Sequence, residues 1–177
     1  MSAIAVFDKI DKAKPVFDAV YFVVLQLAKL FLATTVLIAC LMVLGRYVGF
    51  IPSFPWTEEV ILTFMAYMTL LGAALAVRRS AHIRMVALDP FLNKTAIKVL
   101  DVIADLAIIY FSILLLTEGW TYASTIGGRG FFTSMPNVSL FWRFLPMPLG
   151  GLFMIFFSIE VTCNHIKAFF VKEGESK

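Results

Sequence analysis

The sequence predicts an all-α integral membrane protein, a bundle of four transmembrane helices with both termini on the cytoplasmic side. Three observations carry that prediction. Of 177 residues, 60% are hydrophobic and 15% charged, with a mean hydropathy of +0.89. Soluble domains run nearer half apolar and a quarter charged, and a chain of this size folded in water still exposes roughly 30% of its unfolded surface, too much to hide these residues. The apolar residues also fall into four blocks, each close to the ~20 residues with which a helix crosses a hydrocarbon layer about 30 Å thick. Finally, lysine and arginine concentrate in alternate connections.

The first block covers residues 24–44 and follows an amphipathic stretch from Val16 that suits the membrane interface. The preceding MSAIAVFDKIDKAKPVFDAV mixes Asp8, Lys9, Asp11, Lys12 and Lys14 and offers no small-residue cleavage site, so the first block is expected to stay as an anchor. The second block, 57–77, runs from the acid pair Glu58 and Glu59 to the basic pair Arg78 and Arg79. The third covers 99–122 and the fourth 144–163. Each is expected to be helical, because lipid offers an unpaired amide no partner, and the period-2 alternation of barrel strands is missing. Between the last two spans, residues 121–151 carry Gly127, Gly128 and Gly130, which permit irregular backbone, and Pro136, Pro146 and Pro148, which stop helices. Phe131, Phe132, Phe141 and Trp142 make this connection too apolar for a free loop, so it should lie on the membrane surface or on another protein. With no internal repeat, residues 1–177 read as one domain.

Orientation follows from the basic residues. Lys9, Lys12 and Lys14 precede the first span; Arg78, Arg79, Arg84, Lys94 and Lys98 lie between the second and third; Lys167, Lys172 and Lys177 follow the fourth. These eleven oppose Arg46, Arg129 and Arg143 on the other side, with Lys29 inside a span. The positive side is cytoplasmic. Glu58 and Glu59 then begin the second span at its outer end, where carboxylates suit the positive pole of the helix. Arg78 and Arg79 close it beside the anionic inner leaflet. Trp56 sits where an interfacial aromatic would, and topology alone would account for all these charges.

Ionisable groups within spans are costly and are candidate functional groups. Lys29 precedes Arg46 by 17 positions, about 25 Å of helix at 1.5 Å per residue. Glu160 follows Arg143 by 17 positions on a span of opposite direction, and Asp101 and Asp105 enter the third span from the cytoplasmic side. On this count they share one depth, just inside the cytoplasmic boundary, and Lys29 is expected to pair with Glu160 or Asp105; the competing expectation is that Lys29 snorkels to the headgroups. Glu118 is expected to face headgroup water. Gly72 and Ala76 have the small-xxx-small spacing that lets helices approach closely in lipid.

Nothing points to catalysis, metal or cofactor. Cys40 and Cys163 form no Cys-x-x-Cys pair, and topology places them toward opposite leaflets. His82 and His165 lie near the cytoplasmic boundary on different elements, unsuited to holding a haem within the hydrophobic layer. Hydrolase, metalloprotease and phosphate-loop motifs are missing. Basic residues lie between apolar blocks rather than in one patch, so nucleic acid is not an expected partner, whereas membrane lipids are.

The second span carries one further signal. PWTEEVILTFMAYMTLLGAALAVRRSAHI, with Trp56, Glu58-Glu59, Tyr67, the run from Leu71 through Gly72 to Arg78-Arg79, and His82, resembles the signature of the small membrane subunit of tripartite ATP-independent periplasmic (TRAP) transporters. MPNVSLFWRFLPMPLGG, with Pro136 and Pro148, resembles the same family's stretch before its last span. The resemblance implies a non-catalytic subunit of the bacterial inner membrane. A separate large membrane subunit would carry substrate and sodium sites and work as an elevator, and a periplasmic binding protein would deliver an organic acid, sialic acid or a C4-dicarboxylate. It also makes Trp56, Glu58 and Glu59 candidates for the outer surface that meets a partner. Two other readings compete: a stand-alone small exporter, which needs a carboxylate in its first span that KLFLATTVLIACLMVL lacks, and a membrane anchor of an oxidoreductase, which lacks its histidines and cysteines.

Overall fold

A computed structural model describes the backbone of residues 3–47, 54–79 and 94–174, with side chains placed over 14–47, 54–79, 100 and 102–163. The helices are α1 (Ala3–Tyr47), α2 (Trp56–Arg78), α3 (Lys94–Tyr122), the single turn α4 (Phe141–Phe144) and α5 (Pro146–Gly174), with a π-helical turn (Ala123–Gly127) extending α3. Four segments are long and apolar enough to cross a membrane: Lys14–Tyr47, Trp56–Arg78, Val102–Gly127 and Phe141–Cys163. The second matches its predicted limits to within a residue. The first differs, because the stretch from Val16 is no separate interfacial helix; α1 runs on unbroken from before Pro15.

Packing follows the order α1, α2, α5, α3. The long seams are α1 on α2, α2 on α5 and α5 on α3; α1 touches α5 more lightly, and neither α1 nor α2 shares an extended seam with α3. The spans therefore form an open row. The α1 seam has the alternating three- and four-residue spacing of a coiled coil, with Phe17, Tyr21, Val24, Ala28, Phe31, Thr35 and Ile38 turned inward. Val24 meets Leu71, Ala74, Leu75 and Val77 of α2 and Met154 and Phe157 of α5 in the most buried part of the protein. Being at the ends of the row, α1 and α3 expose most of their large apolar side chains. That would be untenable in water and is unremarkable in lipid.

Glycines set the inner seams. Gly150 of α5 abuts Leu70 of α2, and Gly151, about 100° further round, lies against the backbone of Leu116 and Ser112 in α3. Gly119 of α3 meets Met147 and Pro148 in the same way. Without a hydrophobic force between helices in lipid, such close backbone approach is what holds them. The contacts of Gly150 with Leu70 and of Glu160 with Arg78 make α2 and α5 parallel neighbours. Gly72, expected at a close approach, has open space where a Cβ would be. Its small-xxx-small spacing serves no seam within the described residues.

Several hydroxyls in the spans are satisfied locally, whereas that of Thr162 in α5 is buried with no hydrogen-bond partner among the described residues. Thr35 donates to the Phe31 carbonyl at 2.7 Å, Thr63 to Glu59 at 2.8 Å and Ser112 to Ile108 at 2.6 Å, the back-bonding that spares a hydroxyl an unmet partner in lipid. Tyr67 donates to the Trp142 carbonyl at 2.9 Å, tying α2 to α4.

A Cβ at position 151 would stand 2.7 Å from the Leu116 amide nitrogen, which is backbone and cannot move aside. Gly151→Val is therefore expected to lose about 1–3 kcal/mol of stability, the usual penalty of overpacking. Gly72→Ala should gain up to about 1 kcal/mol from helix propensity. Unfolding in mixed detergent and SDS, followed by circular dichroism, reads both.

Candidate functional site

Charged side chains meet at both ends of the row. At the end shared by the start of α1 and the ends of α2 and α5, Arg78 closes α2, where a cation suits the unsatisfied carbonyls. Its Nε donates to Glu160 Oε2 at 2.7 Å and its Nη2 to Glu160 Oε1 at 3.0 Å, a two-pronged pair between helices. Both side chains are sheltered, 16% and 8% exposed. Nη2 also donates to Asp18 Oδ1 of α1 at 2.5 Å, although that carboxylate is 69% exposed and so contributes little. The guanidinium carbon lies 4.9 Å from the centre of the Tyr21 ring and 5.8 Å from that of Phe157, cation–π distances that gain strength as water is excluded. Arg79 Nε donates to the Tyr21 hydroxyl at 2.7 Å. One side chain, Arg78, thus joins α1, α2 and α5.

At the opposite end the outer connection is folded rather than free. Phe132 N donates to Val138 O at 3.0 Å, Leu140 N to Gly130 O at 2.9 Å and Ser139 Oγ to Gly127 O at 2.8 Å. Gly127 is required here, since a Cβ would meet the Phe141 backbone at 2.9 Å. Glu59 holds the tip of this loop: its carboxylate accepts the amides of Thr133 at 3.0 Å and Ser134 at 3.1 Å, while Ser134 Oγ donates to the Pro55 carbonyl at 3.0 Å. Glu58 is exposed, and Trp56 rests beside Phe54 with ring centres 5.7 Å apart.

These positions correct one sequence expectation. Glu160 is paired, but with Arg78 and not Lys29. The reason is depth: Phe31 stacks on Tyr67, at the middle of α2, with ring centres 5.0 Å apart, so Lys29 lies level with mid-span. Asp18, which reaches Arg78, is eleven positions away, about 16 Å along the helix. Counting from Arg46 misled because α1 runs beyond the outer end of α2. Nor does Lys29 pair with Asp105; its side chain is exposed and makes no ion pair among the described residues. Asp105 is 2% exposed and, by the contacts of Gly119 and Gly151 across α3 and α5, stands level with Glu160. Glu118 is exposed, at the edge of an apolar cleft with Phe111, Leu114, Tyr122 and Met147. His82 lies outside the described residues. Sequence reasoning missed the Glu59 latch, for which no local signal exists. It also missed the role of Arg78 in the pair with Glu160, which placing depth by the end of α2 would have found.

Among the described residues no three of His, Cys, Asp and Glu converge to hold a metal. The sheltered pair of Arg78 and Glu160 joins helix to helix, and with the four apolar spans it defines the class: a multi-pass helical membrane protein. The chain belongs to the DctQ component family of tripartite ATP-independent periplasmic transporters, whose family model matches residues 35–168. It is 27% identical over 113 residues to the sialic acid TRAP transporter small permease protein SiaQ of Vibrio cholerae serotype O1. That alignment spans 63% of this chain and 64% of the relative.

Removing one partner of a sheltered ion pair strands the other, typically at about 3–5 kcal/mol. Glu160→Ala is expected to destabilise within that range. Asp18→Ala should change stability by less than about 1 kcal/mol, as exposed pairs do. Unfolding in mixed detergent measures both. For the outer latch, Glu59→Ala should render the loop near residue 133 cleavable by an added protease at rates well above wild type.

Proposed function

We propose that the chain is the small, non-catalytic permease subunit of a sodium-coupled TRAP transporter. In this reading it stands in a bacterial inner membrane with both termini cytoplasmic and braces a large elevator-type subunit. That partner holds substrate and sodium, and a periplasmic protein delivers an organic acid of the sialic acid or C4-dicarboxylate class. Family membership and the likeness to a sialic acid small permease support the assignment.

The observation that carries it is where the charges are used. A transporter in its own right places polar groups and broken helices around a midplane cavity. Here α2 is continuous from Trp56 to Arg78, and its acids and bases lie at its two ends, in the loop latch and the three-helix junction. A row of helices fastened at both ends, with broad apolar faces, suits a fixed brace against which a partner moves. The exporter reading fares worse, since the ionisable side chain in mid-α1 is Lys29, a cation where that class needs a carboxylate.

The outward-facing part of the proposed partner surface is Trp56 and Glu58. Glu59 supports it from behind by fixing the loop, so reversing both acids together would confuse contact with folding. Co-expressed with a large TRAP membrane subunit, the tagged chain should copurify that subunit, and uptake in proteoliposomes should need both subunits and the binding protein. Uptake by this chain alone would overturn the proposal. Glu58→Lys is expected to lower uptake severalfold at unchanged copurification if this corner meets the binding protein; unchanged uptake removes Glu58 from the surface.

A further inference from the structure

Lys29 is the charge that the fold leaves unexplained. It lies level with Tyr67 at mid-span, about 15 Å from the end of α2 by the helical rise. A lysine stem reaches about 6 Å when it snorkels, so from this depth the ammonium falls short of the headgroups of a layer about 30 Å thick. The side chain also points away from the rest of the protein. It is two positions from Phe31, hence about 160° around α1 from the seam with α2. It is exposed and has no counter-charge among the described residues.

The surroundings of Lys29 are equally unlike a lipid-facing surface. Gln26, Lys29, Ala33, Val36 and Cys40 share one stripe at three- and four-residue spacing, all exposed. The Gln26 amide, like the ammonium, has no hydrogen-bond partner among the described residues. Ala33 and Cys40 are small, the residue type that admits a neighbouring backbone in membranes. The adjacent stripe is Leu27, Leu30, Leu37, Leu41 and Leu44, all exposed, with the half-buried Thr34 among them and no charged group. Acyl chains satisfy the leucines fully but leave the Gln26 amide and the Lys29 ammonium without partners.

We infer that the stripe from Gln26 to Cys40 is a docking face for a transmembrane helix of a partner protein, and that this helix carries an aspartate or glutamate level with Lys29. An ammonium in hydrocarbon requires a counter-charge, Gln26 stands ready to donate to the same carboxylate, and Ala33 lets the two backbones close. The inference rests on the reading of the chain as one subunit of a permease and adds to it which face of which helix meets the large subunit.

The test uses the co-expressed complex. Lys29→Glu should reduce the large subunit recovered with the tagged chain at least tenfold, while Lys29→Arg retains it. Yield and unfolding midpoint of the Lys29→Glu chain should match wild type, since Lys29 makes no contact within it. A photo-crosslinking residue at Val36 should trap the large subunit, and one at Leu37, a third of a turn away, should trap lipid. If wild-type protein copurifies the large subunit but Lys29→Glu does so equally well, or Val36 traps only lipid, this inference falls alone. If wild-type protein captures no large subunit, the parent reading falls with it.

Discussion

The pair between Arg78 and Glu160 is the constraint on which the rest of the architecture depends. α2 and α5 run parallel, so no short turn joins them and their helix dipoles oppose association. Glycine at position 150 brings them close, and the two-pronged ion pair then fixes how far along each other they sit. The same guanidinium draws in α1 through Tyr21 and Asp18. A lysine in its place would be a point charge, unable to hold two carboxylate oxygens while lying against two rings.

The opposite end works on a different chemistry. There, no cation is involved; a carboxylate on α2 accepts two backbone amides from the loop that joins α3 to α5. That loop is rich in glycine and proline, and its form comes from its own internal hydrogen bonds and from being seated on the first turn of α2. α2 is thus held at both ends by groups on the last third of the chain. Between these ends the contacts are dispersion and close backbone approach, with several hydroxyls, Thr35, Thr63 and Ser112 among them, bonded within their own helices. A structure so arranged can be thin, because lipid replaces the core that a soluble protein of equal length would need.

Much of this was legible in the residues and some was not, for physical reasons. The spans follow from apolar length, and Trp56, Glu58 and Arg78 mark the limits of α2 within a residue. The class of protein was carried by the ordered residues of α2, and the family model agrees. The pairing of Glu160 was read correctly as a pairing but with the wrong cation. Sequence gives distance along a helix but not where the bilayer cuts it, and α1 is long enough to allow several choices. Gly72 carries a packing signature without a neighbour among the described residues, whereas Gly151, next to Gly150 and outside any small-xxx-small pattern read from the sequence, makes the tightest contact between helices. The Glu59 latch joins residues 74 and 75 positions apart through main-chain amides, which every residue but proline possesses. No pattern of side chains can announce it.

The length of α1 has a mechanical consequence. Its segment Lys14–Tyr47, 34 residues with charged groups toward both ends, would measure about 51 Å upright at 1.5 Å per residue, against a hydrocarbon layer of about 30 Å. Such a rod must lean, or carry its ends clear of the bilayer, and its lean is coupled to its neighbours through Tyr21 and Phe31. Thinning or thickening the membrane would shift that balance at fractions of a kcal/mol per Å of mismatch. The slant of the whole palisade is accordingly set in part by the acyl-chain length of the surrounding phospholipid.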